Sequence, residues 1–204
     1  MAGDFIWSIT FTDIFTQWTE NRAVWNKGAR DVLEQVKDLE QRLPFAIAGF
    51  DVDNGSEFLT FHLWRYLLDR PRPIPLTRSR PYRKNDQAHV EQKNWTQVRQ
   101  LLGYQRLELP KLLPLINDLY RSWGLLHNFF CPTLKLCSKT RKGSKTIRKY
   151  WPPQTPFQRL LKSKYLTKEH QEKLQAQYEQ LNPLRLKEQI EQKLKAVFAG
   201  ARNR

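Results

Sequence analysis

Little in this sequence would build a disulfide framework, a membrane span or a nucleotide cradle. Cys131 and Cys137 are the only cysteines among 204 residues, too few to staple a secreted scaffold and suited to a reducing compartment. No stretch approaches the roughly 18 apolar residues of a transmembrane helix. The opening Met-Ala-Gly-Asp-Phe-Ile-Trp lacks the basic and apolar regions of a secretory leader. These absences predict a soluble, cytoplasmic chain with no membrane partner. No glycine-rich phosphate loop is present, so a nucleotide cofactor is not expected.

Negative charge is also scarce, and unevenly so. The chain carries 35 Lys and Arg against 20 Asp and Glu, a net charge of +15. Residues 119–168 contain no carboxylate and twelve cations, among them Lys139, Arg141, Lys142, Lys145, Arg148 and Lys149. A solvated protein face normally mixes signs, because uncompensated like charge opposes compaction, so this segment points to a polyanionic partner. Nucleic acid leads, ahead of an acidic protein or a membrane surface. Its aromatics, Phe129, Phe130, Tyr150, Trp151, Phe157 and Tyr165, either stack on bases or pack the segment onto the body. With 40% hydrophobic residues and seven Trp, the chain can also fold around a core.

Residues 5–13 and 17–25 alternate β-branched and aromatic types with polar ones and predict an antiparallel strand pair. Val32, Leu33, Val36, Leu39 and Leu43 recur at helical spacing, and Pro44 ends that helix. The apolar run 45–50 predicts a strand buried on both faces. Ser56 is placed to cap a helix to about Leu68, and Ile74 to Thr77 predict a further short strand. A basic loop follows, 78–86, with Arg78, Arg80, Arg83 and Lys84 as candidate phosphate contacts that position a strand without reading its sequence; a plain solvated loop is the alternative. Helices are predicted over 88–102 and 107–130. The proline-punctuated basic segment 131–167 reads as extended or loosely folded, and 168–204 as a helical hairpin broken at Asn182-Pro183. This is an α/β order followed by a basic helical and extended carboxyl-terminal region, with boundaries at 130 and 167.

Chemistry is expected at two joints. Asp53, in Asp51-Val-Asp-Asn-Gly-Ser-Glu-Phe58, falls at the carboxyl end of a buried strand, where open α/β sheets place ligands. Glu91 stands near the start of the later helix. Phosphodiester attack brings a nucleophile to an anionic centre and leaves an oxyanion, and two Mg²⁺ or Mn²⁺ ions roughly 4 Å apart stabilise both. Mg²⁺ needs few carboxylates besides substrate oxygens, so Asp53 and Glu91 are candidate metal ligands and catalytic acids; a capping or salt-bridged acid is the plainer role. His127, Cys131 and Cys137 have no zinc-ligand spacing and read as structural. His62 and His89 pair with no nucleophile, although His89 is near enough to Glu91 to line the crevice.

Asp53-Asn-Gly-Ser-Glu-Phe, together with Glu91 in Asn-Asp-Gln-Ala-His-Val-Glu-Gln-Lys-Asn, resembles the catalytic core of DDE transposases and retroviral-type integrases, nearest to bacterial insertion-sequence transposases. Trp18-Thr-Glu, Arg78-Ser-Arg-Pro-Tyr-Arg-Lys-Asn-Asp and Val98-Arg-Gln-Leu-Leu-Gly-Tyr104 belong to the same resemblance, which spans residues 3 to about 200. It implies an RNase H-like mixed sheet flanked by helices, with metal-dependent polynucleotidyl transfer at transposon ends and target DNA. Asp53 would then be the second acid and Glu91 the third. Lys93 and Asn94 match positions that support the acid or approach the DNA backbone, and the basic segment matches the DNA-binding region after the core. A nucleoid-associated bacterial location follows, and assembly as a homo-oligomer is left open.

The family's first acid lies on a central opening strand, for which this sequence has no counterpart: Gly3-Asp-Phe-Ile-Trp resembles the start of the second strand. Asp13 ends that strand, and whether it replaces the first acid is open. The alternative function is therefore a non-catalytic, nucleic-acid-binding remnant. A stand-alone RNase H-like nuclease fits the acids but leaves the basic region unexplained.

Overall fold

A computed structural model describes residues 4–26, 28–52, 58, 60–79 and 93–202. The alternating amino-terminal segments form β1 (Ile6–Thr12) and β2 (Thr19–Trp25), antiparallel in register from Ile6↔Trp25 to Thr12↔Thr19. In the connecting turn the Asp13 carboxylate accepts from the Thr16 amide at 2.6 Å and hydroxyl at 2.5 Å, the local bonding that suits Asp to tight turns. Its role in the described structure is therefore to shape this turn.

Helix α1 (Ala29–Arg42) buries Val32, Val36 and Leu39, as the spacing requires. It is tied to β2 by Arg22, whose Nε donates to Asp38 at 2.9 Å. The run 45–50 departs from expectation: β3 is only Phe50–Val52, and Ala46, Ala48 and Gly49 are exposed. Its partner β4 (Leu76–Arg78) runs parallel, from Phe50↔Leu76 to Val52↔Arg78. Pro71, Pro73 and Pro75 precede β4 and have no N–H for a ladder, so the pairing cannot extend backwards. Helix α2 (Phe61–Leu68) begins later than predicted, because Thr60 rather than Ser56 caps it, accepting from the Leu63 amide. Ser56 lies outside the described residues.

Lys93 and Asn94 are α-helical, and helix α3 passes from them through a π-helical turn, Trp95–Arg99, and continues α-helically over Gln100–Leu102 to Gly103 at φ +72°. A 3₁₀ turn, Pro110–Leu112, leads into α4 (Leu113–Phe130). Leu107 is outside that helix, and its carbonyl accepts from the Ile6 amide at 2.8 Å. The segment expected to be loose is ordered as β5 (Leu136–Lys142), β6 (Lys145–Tyr150) and α5 (Pro156–Leu161). The helical hairpin is present as α6 (Lys168–Gln180) and α7 (Pro183–Arg202).

The chain is thus mixed α/β, and the described strands form three separate two-stranded pairs instead of one mixed sheet. Helix α4 organises the interior. Ile116, Leu119 and Tyr120 pack against Ile190 and Val197 of α7, while Phe129 packs with Trp18, Phe157 and Leu174. Val36, Leu63, Leu67 and Ile74 join α1 and α2 in a further cluster.

Candidate nucleic-acid interface

Strands β5 and β6 form a ribbon in which every residue is exposed. Gly143, at φ +61°, and Ser144 close it between the pair Lys142↔Lys145. A left-handed glycine at the first turn position suits the twist of a two-residue hairpin. Opposed residues share a face. One face therefore carries Lys139, Arg148, Arg141 and Thr146, and the other Ser138, Lys149, Thr140, Ile147, Lys142 and Lys145. The six predicted cations divide three and three.

Lys139 opposes Arg148 and Lys142 opposes Lys145. Like charges directly across a ladder are destabilising, and a lone two-stranded hairpin is marginal in water. The ribbon gains nothing from core burial to offset this, since neither face is covered. An anion lying against both faces removes the repulsion, and phosphate lining the walls of a groove has that geometry. The major groove of B-form DNA is about 12 Å wide and admits a two-stranded ribbon.

The other predicted contacts are dispersed. Arg78 is exposed at the end of β4, opposite Val52. Lys93 and Asn94 are α-helical, directly before the π-helical turn of α3, and are partly buried. Burial, and then the positive charge of Arg159, lower the Lys93 pKa. Asp53, Glu91, Arg80, Arg83 and Lys84 lie outside the described residues, as does His89. The neighbouring framework is described: β3 and β4 run parallel, so their carboxyl ends, leading to residue 53 and to the basic loop, lie side by side. Asp51 Oδ1 accepts from the Thr77 hydroxyl at 2.6 Å across this pair, which engages that carboxylate within the sheet.

The aromatics of the basic segment divide between both readings. Phe129 and Phe157 are buried and pack the segment onto the body, whereas Tyr150, Trp151 and Tyr165 are exposed. Cys131 is partly buried, Cys137 is exposed, and neither is in a disulfide. Among the described residues no cluster of three or more His, Cys, Asp or Glu is placed to hold a metal ion, and no helix is long and apolar enough to cross a membrane.

Sequence reasoning missed the ribbon and α5, although each leaves a signature. Lys142-Gly-Ser-Lys145 has the Gly-Ser pair of a short hairpin turn. Thr155-Pro-Phe-Gln158 has the spacing of a capping box with proline at the first helical position, and both reciprocal hydrogen bonds form, Thr155 N–H to Gln158 Oε1 at 3.0 Å and Gln158 N–H to Thr155 Oγ1 at 3.1 Å. Arg159 was also missed. It is 8% exposed and donates to Thr133 Oγ1 at 2.6 Å, to the Thr16 carbonyl at 3.2 Å and to the Thr133 carbonyl, fastening α5 to the β1–β2 turn and to the root of the ribbon.

No protein-family profile matches the chain. It is similar to an uncharacterized protein, y4rM, of Sinorhizobium fredii, with 38% identity over 158 residues that make up 78% of this chain and 45% of that protein. The chain spans less than half the length of that relative.

Proposed function

We propose that this chain acts on DNA as the RNase H-like core of a DDE-type transposase or integrase, in the bacterial nucleoid, with the β5–β6 ribbon as its duplex-binding arm. The observation that carries the reading is the ribbon itself: six exposed cations on two faces, like charges opposed across its ladder, in a stretch with no carboxylate. The parallel β3–β4 pair supports the catalytic part, because its carboxyl ends lead into the Asp53 motif and the loop before Glu91. Asp53 and Glu91 would hold Mg²⁺ or Mn²⁺, which polarises the phosphodiester and stabilises the leaving oxyanion. The ribbon's part is to hold the duplex by its phosphates, and Arg78 stands at the strand end where a scissile strand would pass.

A second reading, a DNA-binding remnant without catalysis, is favoured by one observation. The β1–β2 and β3–β4 pairs are separate among the described residues, where an RNase H-like sheet has its opening strand, the bearer of the first acid, at the centre. Two acids hold a metal pair more weakly than three. Both readings predict binding to duplex DNA that weakens steeply with salt. They part on a strand-transfer assay with Mn²⁺: joined products lost in Asp53→Asn and Glu91→Gln identify the enzyme, and tight binding without products identifies the remnant. Salt-independent binding, or none, excludes both.

A further inference from the structure

The chain entering and leaving the ribbon is zipped together at its root. Thr133 N–H donates to the Gln154 carbonyl and Trp151 N–H to the Lys135 carbonyl, each at 2.9 Å. Beneath this junction is a cavity of about 320 Å³ lined by Phe15, Lys135, Trp151, Pro152, Gln154 and Arg159. Its volume is at the small end for ligand sites, the size of one nucleotide rather than of a peptide or a duplex.

Two kinds of group meet there. Phe15, which meets the Tyr165 ring edge-on at 5.5 Å, is 47% and Trp151 56% exposed, two large and partly uncovered aromatic rings at the lip of one cavity. Lys135 Nζ is 4.4 Å from the centre of the Phe15 ring and donates to the Phe15 carbonyl at 2.6 Å. Arg159 donates to Thr16 and Thr133 oxygens. All of these acceptors are neutral, so the bonds fix the two cations in place without cancelling their charge. A buried cation is ordinarily matched by an anion. Among the described residues Arg159 forms no ion pair, its bonds going to the Thr16 and Thr133 oxygens.

Flat apolar walls beside fixed cations that form no ion pair among the described residues are complementary to a base and its phosphate. A paired base shows only its edges, and its faces become available when it is unstacked or overhangs an end. We propose that this cavity takes one unpaired nucleotide of a DNA end, its base against Trp151 and Phe15 and its phosphate toward Lys135 and Arg159. Stacking is tolerant of sequence, so the subsite senses that a base is unpaired and not which base it is. The proposal rests on the ribbon holding the adjoining duplex, which places the strand end at the ribbon's root.

The test compares two labelled duplexes of about 20 base pairs, one blunt and one with a short unpaired thymidine flank, by anisotropy with the full chain. The flank is expected to tighten binding by about tenfold or more. Trp151→Ala and Phe15→Ala are expected to bring that ratio near one while leaving blunt-duplex affinity unchanged, and Lys135→Met to lower the ratio. A wild-type ratio of one with blunt binding intact overturns the subsite, as does a ratio that survives in both aromatic variants. Failure to bind the blunt duplex overturns the ribbon's role instead. A single-stranded thymidine oligonucleotide then presents unpaired bases to the cavity and phosphates to the ribbon: weaker binding in Trp151→Ala supports the subsite, and equal or no binding in both proteins overturns it.

Discussion

The side-chain amide of Asn128 pairs with the backbone of Thr19 as a neighbouring strand would: Thr19 N–H donates to Oδ1, and Nδ2 donates to the Thr19 carbonyl, both at 2.9 Å. Asn117 repeats the arrangement at Ala23, at 2.8 and 3.1 Å. Their separation of eleven residues along α4 is close to three helical turns, so both amides face the same side. Helix α4 thereby closes an edge of β2 that would otherwise offer unpaired backbone.

Replacing Asn128 by Leu leaves two backbone groups of Thr19 without partners at a site where Asn128 is 1% exposed. Unsatisfied buried groups cost about 1–3 kcal/mol each, so a loss of about 2–4 kcal/mol is expected in urea unfolding. Asn117→Leu, at the less buried pair, is expected to cost less.

Stability should also fall with acid. His127 is enclosed beside Trp123, ring centres 4.0 Å apart, and burial, reinforced by the Lys93 charge, lowers its pKa from 6.5 to about 4. The folded state therefore disfavours the proton that the unfolded chain accepts. The neutral ring's contribution is fully present above pH 6.5 and is lost as pH falls toward 4. The span corresponds to roughly 3 kcal/mol, and thermal midpoints between those pH values should show it. His127→Gln should flatten the profile.

The two faces of the ribbon can be neutralised separately, by Lys139, Arg141 and Arg148 to Gln or by Lys142, Lys145 and Lys149 to Gln. Each phosphate contact adds about 0.9 to the slope of log affinity against log salt, so either triple variant should reduce the slope by about 3. Because opposed like charges are removed, the thermal midpoint should not fall. Loss confined to one face would mean that the ribbon lies flat on DNA instead of entering a groove.

What the sequence made legible follows from where the signal is local. Val32, Val36 and Leu39 repeat at helical spacing and α1 formed where predicted; β1, β2 and the carboxyl-terminal helical pair did likewise. The run 45–50 failed because burial of a strand depends on its partner, and the prolines before Leu76 shorten that partner. The ribbon escaped because its residues are polar on both faces, so the alternation that marks a strand is absent. Its only cue was Gly143-Ser144. The Arg159 site escaped because it joins Thr16, Thr133 and Trp151, residues distant in sequence whose meeting is a product of the fold. Asp53 and Glu91 stand out as motifs, and their geometry lies outside the described residues.

The central claim, that the acids at 53 and 91 share a cation beside bound DNA, is tested most directly by paramagnetic titration of Mn²⁺ into the full chain on duplex DNA. Protein-held Mn²⁺ is expected in the wild type and should be lost in Asp53→Asn and in Glu91→Gln, with duplex affinity unchanged in both. Equal Mn²⁺ retention in all three proteins would contradict the account.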